Sequence, residues 1–167
     1  MIDPPLWNSD QLETNRTNAV ALFRNERMEE PLEDYLEAFD EYQGRVEDLL
    51  ETTIDLSQLE GTTALEVLTD PHLVDVFRYL AGPPVSADDL KVLADASSLA
   101  KGRLKKRPDD VKRLVEVVRS ALDRRRFCWV VERREPTEAE RGAAVMASAA
   151  LMAASRVQTN RRTGTCQ

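Results

Sequence analysis

Residues 31–52, "PLEDYLEAFDEYQGRVEDLLET", decide the fold class. Leu32, Tyr35, Leu36, Phe39, Tyr42, Val46, Leu49 and Leu50 recur at steps of three and four, which puts them on one side of a 3.6-residue period. Pro31 suits a first helical turn, where its missing N–H costs nothing. The other side carries Glu33, Asp34, Glu37, Asp40, Glu41, Glu47, Asp48 and Glu51, the pattern of a solvated helix face. The stretch predicts one long amphipathic helix with its apolar stripe inward.

The pattern continues on both sides. Asn8 to Asp10 offer capping side chains before a looser stripe of Leu12, Val20, Leu22, Phe23 and Met28. Downstream, Gly61 and Thr62 read as a connector and "ALEVL" as a short turn. Asp70 and Pro71 then open a helix that Gly82, Pro83 and Pro84 close. Ser86 with Asp89 caps a short helix, and "SSLAKGRLKKR" predicts another despite Gly102. Pro108 opens a helix that runs to Arg126, with Val111, Leu114, Val115, Val118 and Leu122 inward. Thr137 and Glu140 form a capping box for a last helix to about Gln158. Between those two helices "FCWVV", residues 127–131, reads as either a short strand or an irregular buried link. With aromatics at 5% and helix formers abundant, the expectation is an all-α single domain, a compact bundle of six or seven helices over residues 1–167.

Cys128 and Cys166 have no metal-ligand spacing and suggest no disulfide framework. The start, "MIDPPLWNSD", lacks the basic and apolar regions of a signal peptide, and a cytoplasmic location is expected. The uncharged run from Gly142 to Ser155 is shorter than a membrane span and reads as a buried helix of a soluble protein. The net charge of −7 hides an asymmetry. Residues 1–80 hold 5 Arg and no Lys against 19 Asp and Glu, a balance of −14, whereas residues 81–167 hold 18 Lys and Arg against 11 Asp and Glu, a balance of +7. An acidic half of this kind can meet a protein partner or a second copy, and a basic half can meet nucleic acid.

Catalytic strings are few. "RPDDVK", residues 107–112, contains the acids and lysine of a metal-dependent nuclease. Asp109, Asp110 and Lys112 nevertheless share one turn of a helix opened by Pro108, where acids are explained by the helix dipole. His72 is the only histidine and has no companion ligand, and the glycines form no phosphate loop. No catalytic or metal-binding residue is expected in this chain.

Binding is better supplied. The series of short helices from Asp70 to Arg107 has the rhythm of a helix-turn-helix whose last helix would carry Arg103, Lys105, Lys106 and Arg107, a rhythm that plain helical domains share. "LDRRRFCWVVERRE", residues 122–135, places Arg124, Arg125, Arg126, Arg133 and Arg134 around an apolar segment, and Arg161 and Arg162 add a further pair. The first three can be read as a helix end favoured by its dipole, with Phe127, Trp129 and Val131 in the core. That account covers most of the pattern but leaves the further pairs unexplained, and arginine is the residue that makes forked contacts to phosphate. The candidate DNA-binding set is therefore Arg103, Lys105, Lys106, Arg124, Arg125, Arg126, Arg133, Arg134, Arg161 and Arg162.

Three strings, "ERMEEPLEDYLEAFDEYQGRVEDLL", "FRYLAGPPVSADDLKVL" and "LDRRRFCWVVERREPTEAERGAAVMASAALMAASRVQTNRR", together resemble the N-terminal region of the XamI-type restriction endonuclease family. The resemblance covers residues 4 to about 162. It implies a type II endonuclease that hydrolyses phosphodiesters of double-stranded DNA with Mg²⁺, alongside a methyltransferase that protects the host. It also implies a nuclease core after the matched region, so this chain is expected to be truncated before its catalytic residues and to need no cofactor itself. The alternative from the residues alone is a non-catalytic helical module that binds protein or, in helix-turn-helix fashion, DNA.

Overall fold

A computed structural model describes the backbone of residues 29–165 and the side chains of residues 32–159. The helix expected after Asp10 lies outside the described residues. Eight helices are described: α1 (Glu29–Thr52), α2 (Gly61–Thr69), α3 (Pro71–Arg78), α4 (Ala87–Leu93), α5 (Lys101–Lys106), α6 (Pro108–Ser120), α7 (Cys128–Val131) and α8 (Glu138–Thr165). The fold is all-α, as the periodicity of residues 31–52 predicts. Pairing of strand type among the described residues is confined to one antiparallel bridge between Ala81 and Leu122.

The start signals in the sequence hold as local chemistry. Asp70 accepts the His72 N–H at 2.8 Å, and Ser86 Oγ accepts the Asp89 N–H at 3.1 Å. Thr137 and Glu140 cap each other's N–H groups at 2.9 and 3.1 Å. Gly61, read as connector, instead begins α2 with a left-handed φ of +58°.

Two antiparallel long helices, α1 and α8, make the most extensive helix contact of the fold. Their register is marked by two ion pairs, Asp55 with Arg141 near one end and Glu41 with Arg156 near the other. Val46, Leu49 and Leu50 of α1 meet Ala144, Val145, Met152 and the core residues Phe77, Leu114 and Val118 in one buried cluster. Phe127 and Trp129 join it edge to face, with ring centroids 5.7 Å apart. Burying rings of this size stabilises the fold by about 1.5–3 kcal/mol each. The expected apolar stripe of α1 is only partly inward: Leu32 and Leu36 are 54% and 55% exposed, because the first turns of α1 run beyond the core, which begins at Ala38.

Three further expectations are corrected. Gly82 does not close α3, which ends at Arg78; its N–H donates to the Ala121 carbonyl at 2.9 Å, and a Cβ on Gly82 would stand 3.1 Å from that of Asp123. A side chain at this position would press on that of Asp123, which would have to give by a few tenths of an ångström. The helix opened by Pro108 stops at Ser120 rather than Arg126, because Asp123 N donates to Leu80 O and the chain turns away. Residues 128–131 form a single helical turn, neither a strand nor an irregular link, burying Trp129 but leaving Val131 half exposed.

Candidate nucleic-acid interface

Two clusters of cations flank α6. Before it, α5 and its cap hold Lys101, Arg103, Lys105, Lys106 and Arg107, all exposed, around the single buried Leu104. Arg103 donates to Ser97 Oγ at 3.1 Å. The side chains of the other four have no hydrogen-bond or ion-pair partner among the described residues. After it come Arg124 and Arg125, also exposed and likewise without side-chain partners. At about 1.5 Å of rise per residue, the 13 residues of α6 between them span about 20 Å. That is about six steps of a duplex.

The outward face of α6 between them carries Asp109, Lys112, Arg113, Glu116 and Arg119. The short helices around α5 do not make a helix-turn-helix. Eight residues separate α3 from α4 and seven separate α4 from α5, whereas that motif uses a turn of about three or four.

Not every candidate arginine is available. Arg126 is 7% exposed at its side chain and faces inward. It donates to Asp123 Oδ2 at 2.8 Å, Ser148 Oγ at 2.9 Å, and the Tyr79 and Ala81 carbonyls at 2.7 and 3.3 Å. Its guanidinium ties the α3 exit, the turn after α6 and α8 together, and it has no remaining face for a phosphate. The Arg126 contact lowers the Asp123 carboxyl from its ordinary value, ahead of an opposing burial effect. Arg134 is committed as well: it bonds Glu140 at 2.7 Å through both Nη atoms and also pairs with Glu132. That contact, helped by the Cys128 thiol and the Thr137 N–H, holds Glu140 well below the usual carboxylate range. Donating to Glu140 at 3.0 Å in turn pushes the Cys128 thiol up, which leaves it a poor nucleophile.

Arg133 is different. It is exposed, has a left-handed φ of +54°, and its side chain is unpartnered among the described residues. Arg161 and Arg162 lie on the last turns of α8, where side chains fall outside the described residues. Lys101 and Lys112 are exposed beside these clusters and were not among the candidate DNA-binding residues, because single lysines in helical surroundings carry no distinguishing pattern.

The acids of "RPDDVK" do not form a metal site. Asp110 is 6% exposed and ion-pairs with Arg113, which also donates to the Ala94 carbonyl at 2.7 Å; Asp109 points to solvent one residue earlier. No group of three or more metal-ligating side chains gathers among the described residues. The donor set does not fit Mg²⁺. The eight acids on the outer face of α1 are all exposed. Glu41 is lowered by its bond to Arg156, against an opposing burial effect and with Arg45 adding to the lowering. No helix among the described residues is long and apolar enough to cross a membrane.

Residues 57–167 match the family described as XamI restriction endonuclease. Over 167 aligned residues the chain is 35% identical to a protein of Xanthomonas campestris pv. amaranthicola named type II restriction enzyme XamI, with 95% of this chain covered. The chain belongs to the XamI restriction endonuclease family. It spans 58% of that relative's length. No solved structure matches it.

Proposed function

We propose that this chain is the DNA-associated helical region of a type II restriction endonuclease, and that it grips the duplex backbone through the two basic clusters at the ends of α6. The observation that carries this reading is the placement of unpartnered cations on both sides of α6, Lys105, Lys106 and Arg107 before it and Arg124 and Arg125 after the turn that follows it, the helix itself being about 20 Å long. Such contacts position a protein on DNA without reading sequence. The exposed acids of α1 repel DNA from the remaining surface and orient the encounter. Arg126 and Arg134, held in protein contacts, are left out of the contact set. For the whole enzyme we propose Mg²⁺-dependent hydrolysis of double-stranded DNA, with no step assigned to Asp109, Asp110 or Lys112.

The test is fluorescence anisotropy of a labelled duplex over a salt series. The chain should bind weakly and without sequence preference, with log affinity falling linearly with log salt. The double variants Arg124→Gln/Arg125→Gln and Lys105→Gln/Lys106→Gln should each flatten that slope by about two units, one per lost contact. Absence of binding at low salt, or no change in either variant, overturns the reading and favours a protein partner on the acidic half.

A further inference from the structure

The turn between α1 and α2 places three consecutive non-glycine residues in left-handed backbone: Ile54 at φ +49°, Asp55 at +55° and Leu56 at +73°. With Arg133 at φ +54° they line one cavity of about 490 Å³, within the range of small-ligand clefts. L-residues adopt this conformation against steric cost, and it persists where neighbouring contacts force it.

Those contacts are present. Asp55 N donates to Leu50 O at 2.7 Å, Leu56 N donates to the buried Thr53 hydroxyl at 3.0 Å, and Trp129 Nε1 donates to Asp55 O at 2.9 Å. Arg141 Nε holds the Asp55 carboxylate at 3.0 Å. A left-handed turn is thus fixed in advance beside an open recess, with Ile54 63% exposed in it.

The recess has a definite chemistry. Ile54, Val130 and Pro136 give it apolar walls, with the buried Leu56 and Trp129 beneath them. Arg133 supplies a free guanidinium, because the neighbouring Arg134 is closed by Glu132 and Glu140. Glu135, also in the lining, offers an acceptor to an exocyclic amine. Apolar walls around a single available cation suit a flat ring that carries one anionic group.

We propose that this cavity takes up one unstacked nucleotide of bound DNA, its base against the apolar walls and its phosphate on Arg133. The assignment rests on the DNA-binding reading above and adds a site for a single displaced base, a device by which proteins gain access to base edges.

The experiment uses the chain with Trp7→Phe, which leaves Trp129 as its sole tryptophan and a reporter within the cavity wall. Deoxycytidine monophosphate, deoxycytidine and inorganic phosphate are titrated separately while Trp129 emission is followed. The mononucleotide should saturate the signal in the millimolar range, with the nucleoside and phosphate about tenfold weaker. Arg133→Gln should reduce the mononucleotide to the level of the nucleoside. Ser57→Phe, a substitution of an exposed lining residue that fills the recess, should abolish the response while duplex binding through Arg124 and Arg125 persists.

A mononucleotide that leaves Trp129 unchanged, or that acts equally on both variants, overturns the proposal. Duplex binding without mononucleotide uptake overturns only the cavity assignment and leaves the α6 interface standing. Mononucleotide uptake without duplex binding at low salt overturns both, since the ligand would then not come from DNA.

Discussion

Replacing Arg126 by glutamine separates the structural arginine of "DRRRF" from its exposed neighbours. The substitution removes the charged bond to Asp123 and the donors to Ser148, Tyr79 and Ala81. Removing one partner of a buried ion pair costs about 3–5 kcal/mol. Asp123 is 27% exposed, so water takes up part of its charge, which places the loss at the lower end, about 3 kcal/mol. For a chain of this size each kcal/mol lowers the melting temperature by about 2–4 °C, so a fall of about 6–12 °C is expected. Arg124→Gln and Arg125→Gln touch no partner and should stay within about 0.5 kcal/mol of the parent. Thermal unfolding followed by circular dichroism gives the first comparison, and duplex anisotropy below both transitions gives the second. Arg126→Gln should leave the salt slope of DNA binding unchanged while the other two lower it. A melting temperature within about 2 °C of the parent, or a salt slope reduced as far as in Arg124→Gln, would refute the tether.

Ala149 is fully buried in α8, so Ala149→Leu should overpack the fold and cost about 1–3 kcal/mol, whereas Ala147→Leu, on the exposed face, should melt like the parent; equal melting of the two refutes the helix orientation. Glu140 titrates below its ordinary value in the folded chain, so its contribution is present above the unfolded carboxylate range near pH 4.3 and is lost as pH falls towards the lowered folded value. Glu140→Gln should therefore make the loss of melting temperature below about pH 4.5 shallower, and an unchanged steepness counts against the Arg134 contact. The purified chain should leave plasmid DNA intact with Mg²⁺ or Mn²⁺; cutting that disappears in Asp109→Asn or Asp110→Asn would make those acids catalytic.

The parts of the fold readable from the sequence are those set by near neighbours. Asp70, Ser86 and Thr137 mark helix starts because a capping side chain reaches an N–H two or three residues away. The end of α6 was unreadable for the opposite reason. Ala121 to Arg126 contains good helix formers, and the chain leaves the helix only because Leu80 and Ala81 pair with Leu122 and Asp123 from far back in the sequence. The same distance hid the role of Arg126, whose acceptors at Tyr79, Ala81 and Ser148 cannot be seen from a run of three arginines. In α8 the uncharged stretch from Gly142 to Ser155 offers no contrast between faces. Of its alanines Ala144, Ala149 and Ala153 are buried while Ala143, Ala147 and Ala154 are exposed, a division that a run of small residues does not announce. The left-handed turn at Ile54 to Leu56 has no glycine to announce it, and so the cavity was missed altogether.

The antiparallel seating of α1 on α8 sets an order of events during synthesis. Glu41 and Arg156, and likewise Asp55 and Arg141, are joined across most of the described chain. A ribosome releases α1 long before the residues that cover it exist. Until α8 emerges, Val46, Leu49 and Leu50 lack part of their eventual surroundings, and closing so long a loop makes folding slower than in a bundle of sequence-adjacent helices. The dense acidic face of α1 is already in place at that stage, and its charge repulsion opposes association through the uncovered apolar stripe until α8 is made.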